Sequence, residues 1–270
     1  ERNREPVGVE PGRRTAILGP AAVAQLVRFM VDSFAGGETK TGSTPFSEHR
    51  PDGEIRTRIG QRVFDARLRM VSDPADPDGG FPPFFEYGTL GFGKTVGLPI
   101  PAMTWIEAGV LQELSWGIKD YGRPWCELPY SVRLEAMPGT TTLTLDEMIA
   151  TCDDGIYVHR FSGLEVIDQR SGMMTGVTRD GCFLIQEGQI SKAVKNFRFV
   201  ESPFHAFNRL QAIGTAERVA LGMQDPTPRE RYAGSSWPPQ GRWTRWPRLP
   251  IIVPPLVVTD FNFSALAEAV

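Results

Sequence analysis

The length, composition and charge of the chain already exclude several classes of protein. It has 270 residues, of which 41% are hydrophobic and 23% charged, as in globular domains, so disorder and coiled coil are excluded. Lys and Arg total 29 against 32 Asp and Glu, and the net charge of -3 excludes the basic field of a nucleic-acid-binding protein. No apolar run reaches the length of a membrane span, so we expect neither a membrane nor a nucleic-acid partner.

The N-terminal part predicts a linker followed by a helix. Residues 1–14 are polar and charged and predict a linker, and residues 15–270 are expected to form one domain. Apolar residues recur at helical spacing from Ala21 to Phe34. Gly36 and Gly37 are predicted to end this helix.

Strand patterns dominate the rest of the chain. Strands are expected at Glu54–Arg58 and Ala66–Val71. Thr104–Leu111 and Phe183–Ile190 resemble each other, and both predict a hairpin with Gly as the last turn residue.

Two short helices and a final strand complete the expected elements. Thr144 and Glu147 have the spacing of a capping box and predict a helix through Ala150. Ser202-Pro203 predicts the start of a second helix that ends at Gly214, with an apolar face made of Phe204, Phe207, Leu210 and Ile213. Leu249–Val258 contains three prolines and predicts an edge strand. Ile251–Val258 with Phe261 and Phe263 could offer an edge and an aromatic surface to a partner or an extended substrate, and internal packing as a final core strand is the alternative. Long strands between few helices indicate an α+β fold with a mixed or antiparallel sheet.

A phosphate-binding motif is present without its context. Gly88 to Thr95 reads GTLGFGKT, which has the P-loop spacing. That loop needs a helix after it, and Pro99 and Pro101 stand where the helix would run. We therefore expect a loop or strand with Lys94 in solvent.

The cysteines and histidines form no recognisable site. Cys126, Cys152 and Cys182 are scattered without a CxxC pair, which argues against a disulfide framework or thiolate zinc cage and favours a reducing cytoplasm. Cys152 and His159 could act as a nucleophile and base, but an extended chain would place them on opposite faces, which favours a buried structural Cys and a surface His. The three histidines are also too dispersed for a zinc site within this chain.

A polar stretch offers the best candidate for ligand binding. Thr178, Arg179, Asp180, Gly181 and Cys182 are predicted to form a turn between apolar strands, where their side chains could line a cleft. An ordinary exposed turn with an Arg–Asp pair is the equally plausible alternative, and such a pair contributes only about 0–1 kcal/mol.

The order of several motifs resembles the TldD/PmbA family, once called modulators of DNA gyrase. The resemblance extends over about Thr15–Ser264. It rests on six segments, namely Val63–Asp65, Asp73–Pro77, Thr104–Leu111, Gly155–Gly163, Thr178–Ile190 and Val194–Phe199. It implies that the chain corresponds to the strand-rich C-terminal domain, without the α/β domain that family members usually carry upstream.

The resemblance also implies a role. In the peptidase branch of that family the first helix of this region carries His-Glu-x-x-x-His, and a later Cys completes a zinc site. The corresponding helix here, Ala24–Phe34, has neither residue type, and Tyr232–Trp243 contains no Cys. The chain therefore resembles the TldE/PmbA branch, which has no catalytic residues or metal ligands of its own and pairs with a TldD-like zinc-binding paralogue.

The implied substrate is a peptide or an amide, including natural-product precursors, and zinc is expected in the partner. In this chain Thr178, Arg179, Asp180 and Cys182 remain the candidates for substrate contact. A metal-independent hydrolase that uses the Thr178–Cys182 turn is the alternative, and a P-loop NTPase is a third.

Overall fold

The computed structural model describes residues 6–79, 84–88, 95–116, 131–219 and 251–267. Strands dominate this part of the chain. In chain order they are β1 (Gly12–Leu18), β2 (Ser47–His49), β3 (Ile55–Thr57), β4 (Leu68–Ser72), β5 (Phe84–Gly88), β6 (Thr95–Pro99), β7 (Met103–Glu107), β8 (Val110–Leu111), β9 (Arg133–Ala136), β10 (Asp154–Asp168), β11 (Met173–Gln186), β12 (Gln189–Ala193), β13 (Phe197–Glu201), β14 (Leu210–Ile213), β15 (Glu217–Val219), β16 (Ile251–Val253) and β17 (Leu256–Leu266). The expected strand-rich α+β class is confirmed.

The helices in the described residues are short. They are α1 (Pro20–Met30), continued by a 3-10 turn (Val31–Phe34), then α2 (Gly36–Lys40), α3 (Leu145–Ala150) and α4 (Pro203–Ala206). None of them is long and apolar enough to cross a membrane. The capping box on α3 is confirmed, because the Thr144 hydroxyl accepts the Glu147 N–H and the Glu147 carboxylate accepts the Thr144 N–H.

Two helix predictions were wrong at their ends. Gly36 and Gly37 begin α2 instead of ending the first helix. A Cβ on Gly36 would lie 2.5 Å from the Trp116 ring, so this glycine permits close packing. The helix expected from Ser202 to Gly214 is only α4, and its second half is strand β14, which pairs with β17.

Five strands close into a ring. β1 pairs with β10 and β17, β10 pairs with β11, β11 pairs with β13, and β13 pairs with β17. The β1–β10 pairing is parallel and the others are antiparallel. β1 begins at Gly12, so it includes the last three residues of the linker predicted at residues 1–14.

Phenylalanine side chains fill the inside of this ring. Phe161 of β10 packs 4.5 Å from Phe199 of β13 and 6.1 Å from Phe261 of β17, measured between ring centroids. Contacts between strands that do not pair with each other require side chains that point inward. Phe197 and Phe263 extend the same cluster, and all five rings are fully buried.

The final strand belongs to the core. Ile251–Val258, Phe261 and Phe263 are buried, so the expected edge and aromatic surface are wrong and the alternative of a final core strand is confirmed. β17 lies between β1 on one side and β13 and β14 on the other. A strand that pairs on both edges has no free edge for a partner strand.

A second sheet and two helices cover the ring. Six strands form this sheet in the order β15-β16-β9-β4-β7-β8, with the predicted hairpin at Thr104–Leu111 formed by β7 and β8. α1 contacts β10 of the ring and β15 and β16 of the second sheet, so it lies between the two. α3 covers the opposite side of the ring, where Met148 packs against Ile17 and Val257.

Candidate functional site

The polar stretch Thr178–Cys182 is not a turn but a β-bulge inside β11. Val158 pairs with Cys182 and Arg160 pairs with Arg179, so β11 has one residue more than β10 between these pairs. Asp180 has φ 55° and Gly181 has φ 139°. Asp is one of the few non-glycine residues that accept positive φ at low cost, which explains why Asp-Gly could be mistaken for a turn.

Thr178 and Cys182 are turned into the protein. Their exposed fractions are 0% and 1%. The Thr178 hydroxyl accepts the N–H of Phe197 at 2.9 Å and thereby links β11 to β13. Burial raises the pKa of the Cys182 thiol to about 12, so the thiolate that a nucleophile requires does not form near neutral pH.

Arg179 and Asp180 lie on the outer side of the ring. Arg179 is directly opposite Arg160 across the β10–β11 pair, and Asp180 accepts a hydrogen bond from the Arg160 guanidinium. Arg160 is 30% exposed and Asp180 is 51% exposed, so this ion pair reaches solvent. Of the predicted residues, the structure therefore leaves Arg179 and Asp180 accessible to a substrate.

A third arginine, which the sequence reasoning missed, shares this side. Arg198 of β13 is paired with Val177 of β11, and Val177 is two residues from Arg179. Paired residues and residues two apart point to the same side of a sheet. The signal available in the sequence was the alternation in Phe197-Arg198-Phe199, whose two phenylalanines are buried while the arginine is exposed.

The two residues of the hypothetical Cys–His dyad have different environments. Cys152 is buried next to Met148 under α3, and burial raises the pKa of its thiol. His159 is exposed, and its Nδ1 lies 3.4 Å from the Tyr157 hydroxyl. Burial, with the Glu217 carboxylate as a smaller cause, raises the pKa of Tyr157, which keeps that hydroxyl protonated.

A shallow polar cleft of about 450 Å³ lies beside the tip of the β10–β11 hairpin. The His49 Nε2 atom lies 3.1 Å from Arg170 Nη2 and 3.3 Å from Gly42 O. Asp168 also lines the cleft, but its carboxylate accepts the backbone N–H groups of Arg170 and Ser171. These contacts join the polar groups of the cleft to one another and offer no activated nucleophile.

The P-loop-like stretch lacks the helix that phosphate binding needs. Phe84–Gly88 and Thr95–Pro99 are antiparallel strands, with Gly88 opposite Thr95. Lys94 lies outside the described residues. Because β6 begins at Thr95, where a P-loop continues into a helix, no helix dipole is directed at a phosphate there.

No group of three His, Cys, Asp or Glu side chains that could hold a metal occurs in the described parts of the chain. The helix α1, where the resemblance would place zinc ligands, carries Gln25 and Arg28 as its only polar side chains. Gln25 is 2% exposed, and its amide donates to the carbonyl of Phe161 at 2.8 Å and accepts the N–H of Phe161 at 2.7 Å. This helix is therefore a core element.

The two buried cysteines should be unreactive in the folded protein. We expect a Cys126→Ser variant to show no rapid reaction with a thiol reagent at pH 8, because Cys152 and Cys182 are buried with raised pKa values. Both thiols should react once urea unfolds the chain. Rapid labelling of Cys182 in the native protein, read by mass spectrometry, would contradict its assignment as a core residue.

Comparisons with known proteins agree with this architecture. Residues 11–265 match the PmbA/TldA metallopeptidase C-terminal domain. A search of curated proteins finds no match. Similar solved structures include a putative modulator of DNA gyrase from Bacteroides thetaiotaomicron, with 18% identity and a TM-score of 0.68 over 98% of this chain and 50% of that one.

Two further structures share the fold. TldE from Thermococcus kodakarensis has 16% identity and a TM-score of 0.65, over 97% of this chain and 52% of its own. A putative modulator of DNA gyrase from Thermotoga maritima has 13% identity and a TM-score of 0.65, over 95% and 51%. The chain thus spans about half the length of the solved proteins that it matches. By its match over residues 11–265, the chain belongs to the PmbA/TldD family of metallopeptidase-related proteins and corresponds to its C-terminal domain.

Proposed function

We propose that this chain is a non-catalytic, TldE/PmbA-like subunit of a heteromeric zinc-dependent peptidase. In this proposal a TldD-like zinc-binding paralogue supplies the metal, the activated water and the general base. The pair cleaves peptides or amide-linked precursors, natural-product intermediates among them. This chain completes the substrate-binding surface.

The observation that carries the proposal is the chemistry of α1. Amide hydrolysis needs an activated water and a base held beside it. In α1 the side chains from Ala22 to Val27 are all buried, and all of them except Gln25 are apolar. The one buried polar side chain there, Gln25, has both ends of its amide bonded to the peptide groups of Phe161. These contacts support a structural role for α1 in this chain.

The alternative of a metal-independent hydrolase is not favoured by any contact in the bulge. Thr178 is committed to the backbone of Phe197, and Cys182 is a buried thiol. The accessible groups, Arg179 and Asp180, are a cation and an ion-paired carboxylate, which are suited to holding a substrate in place.

An assay of separate and combined chains tests the proposal. This chain, a TldD-like relative that contains His-Glu-x-x-x-His, and their mixture would each be incubated with short peptides. We expect cleavage by the mixture to exceed that by this chain alone on the order of a hundredfold or more, because only the relative activates water. Elemental analysis should assign the zinc to the relative.

A variant mixture then tests the role of the bulge. Arg179→Ala should slow the mixture, while Arg56→Ala, which removes an exposed charge from the separate β2–β3 hairpin, should not. The subunit proposal is wrong if this chain alone cleaves as fast as the mixture, or if it retains one zinc per chain after mild chelation. If the two arginine variants cleave at equal rates, the bulge at Thr178–Cys182 does not line the shared cleft.

A further inference from the structure

The outer side of the ring carries three arginines whose positions are fixed by strand register. Arg160 and Arg179 are directly opposite each other, and Arg198 lies diagonally from Arg179 on the next strand. Their paired neighbours Ser162 and Val177 share that side, while Phe161 and Thr178, one residue along, are buried. The arginines therefore form one solvent-facing group, which we call the arginine face.

Two of the three arginines on this face have no carboxylate partner within the described residues. Like charges directly opposite each other on neighbouring strands destabilise a sheet. Asp180 forms an ion pair with Arg160. Glu165 is opposite Thr175, further along the β10–β11 hairpin. Within the described residues no carboxylate pairs with Arg179 or Arg198. A chain with a net charge of -3 thus concentrates unpaired cations at the site where the bulge interrupts β11.

The spacing of the two unpaired arginines matches an extended acidic peptide. Diagonal neighbours on adjacent antiparallel strands are about 7–8 Å apart. In an extended peptide, side chains at positions i and i+2 point the same way and are separated by about 6.6 Å. Two carboxylates with that spacing can each receive hydrogen bonds from one guanidinium, and such charge-assisted bonds are among the strongest in proteins.

We propose that the arginine face binds an extended peptide segment with acidic side chains at positions i and i+2. Arg179 binds one carboxylate and Arg198 binds the other, while Val177, which is opposite Arg198, offers an apolar contact beside them. Arg160, held by Asp180, fixes the edge of the site. This proposal goes beyond the subunit function, because binding requires neither zinc nor the TldD-like relative.

Binding of blocked peptides to the 270-residue chain provides the test. Fluorescent peptides with the sequences Ala-Glu-Ala-Glu-Ala, Ala-Glu-Glu-Ala-Ala and Ala-Gln-Ala-Gln-Ala, amidated at the C-terminus, would be titrated by anisotropy at low salt. We expect the alternating acidic peptide to bind at least about tenfold more tightly than the other two, which corresponds to about 1.4 kcal/mol. Its affinity should fall as salt is added.

Matched variants locate the site. Arg179→Gln and Arg198→Gln should each weaken binding of the alternating peptide about tenfold, and Arg56→Gln, which removes an exposed charge elsewhere, should leave it unchanged. Thermal unfolding of each variant checks that the fold is retained. Equal affinity for the three peptides, or equal affinity of parent and Arg198→Gln, overturns the proposal. Displacement of the acidic peptide by a short DNA oligomer at equimolar concentration would assign the face to phosphates instead and would also overturn it.

Discussion

Gln25→Leu should lower the free energy of unfolding by about 3 kcal/mol, although leucine is apolar and similar in size. The Gln25 amide satisfies both the N–H and the C=O of Phe161, at 2.7 Å and 2.8 Å. Leucine leaves the Phe161 N–H without this partner and its C=O with only the long 3.5 Å contact from Arg160 Nη1, and an unsatisfied buried group costs about 1–3 kcal/mol. The gain from burying an apolar side chain offsets only part of that cost.

Urea unfolding of the two proteins measures the effect. The midpoint should fall while the slope stays the same, since the surface exposed on unfolding is unchanged. Gln112→Leu is the matched control, because the Gln112 side chain is exposed and donates to the nearby carbonyl of Val110, so its effect should stay within about 0.5 kcal/mol. If both substitutions cost the same, Gln25 does not tie α1 to β10.

Local structure could be predicted where short-range chemistry decides it. The hairpins at Thr104–Leu111 and Phe183–Ile190 are confirmed, with Gly109 and Gly188 at positive φ. The capping box at Thr144 is also confirmed. In each case the residues that determine the geometry lie within a few positions of one another.

The sequence does not predict in the same way which distant strands pair with each other. The ring closes through β1 and β17, which are joined by pairs such as Gly12 with Phe263. A run such as Leu256–Val258 is apolar in an edge strand and in a central one alike, so composition could not distinguish them. The same limit explains Leu210–Ile213, where apolar spacing suited a helix and pairing with β17 made a strand.

The candidate site was predicted in part. Sequence reasoning selected Arg179 and Asp180, but it could not tell that Thr178 and Cys182 point into the core. Which side chains of β11 point inward depends on the bulge, and the extra residue of the bulge is revealed only by the pairing of β11 with β10. Arg198, 19 residues after Arg179 in the chain, joins the face only through β11–β13 pairing.

Gly109→Ala should destabilise the protein by about 4 kcal/mol, the largest single effect that we expect. Gly109 has φ 73°, a conformation that costs an L-residue about 1–2 kcal/mol. A Cβ there would also lie 2.2 Å from the carbonyl oxygen of Phe64 and 2.7 Å from that of Asp65. The Gly109 carbonyl accepts the N–H of Phe64 at 3.0 Å and its N–H donates to Leu68 at 2.9 Å, so the hairpin cannot move away without breaking these bonds.

The matched control separates backbone strain from the collision. Gly139 has φ 83°, and a Cβ on it meets nothing within 4 Å. Gly139→Ala should therefore cost only about 1–2 kcal/mol, from the backbone conformation alone. Urea unfolding at 25 °C measures both variants against the parent. Equal losses for the two substitutions would mean that the β7–β8 turn is not packed against the Phe64–Asp65 backbone. The hydrogen bonds of Gly109 to Phe64 and Leu68 would then not hold the turn rigidly in place.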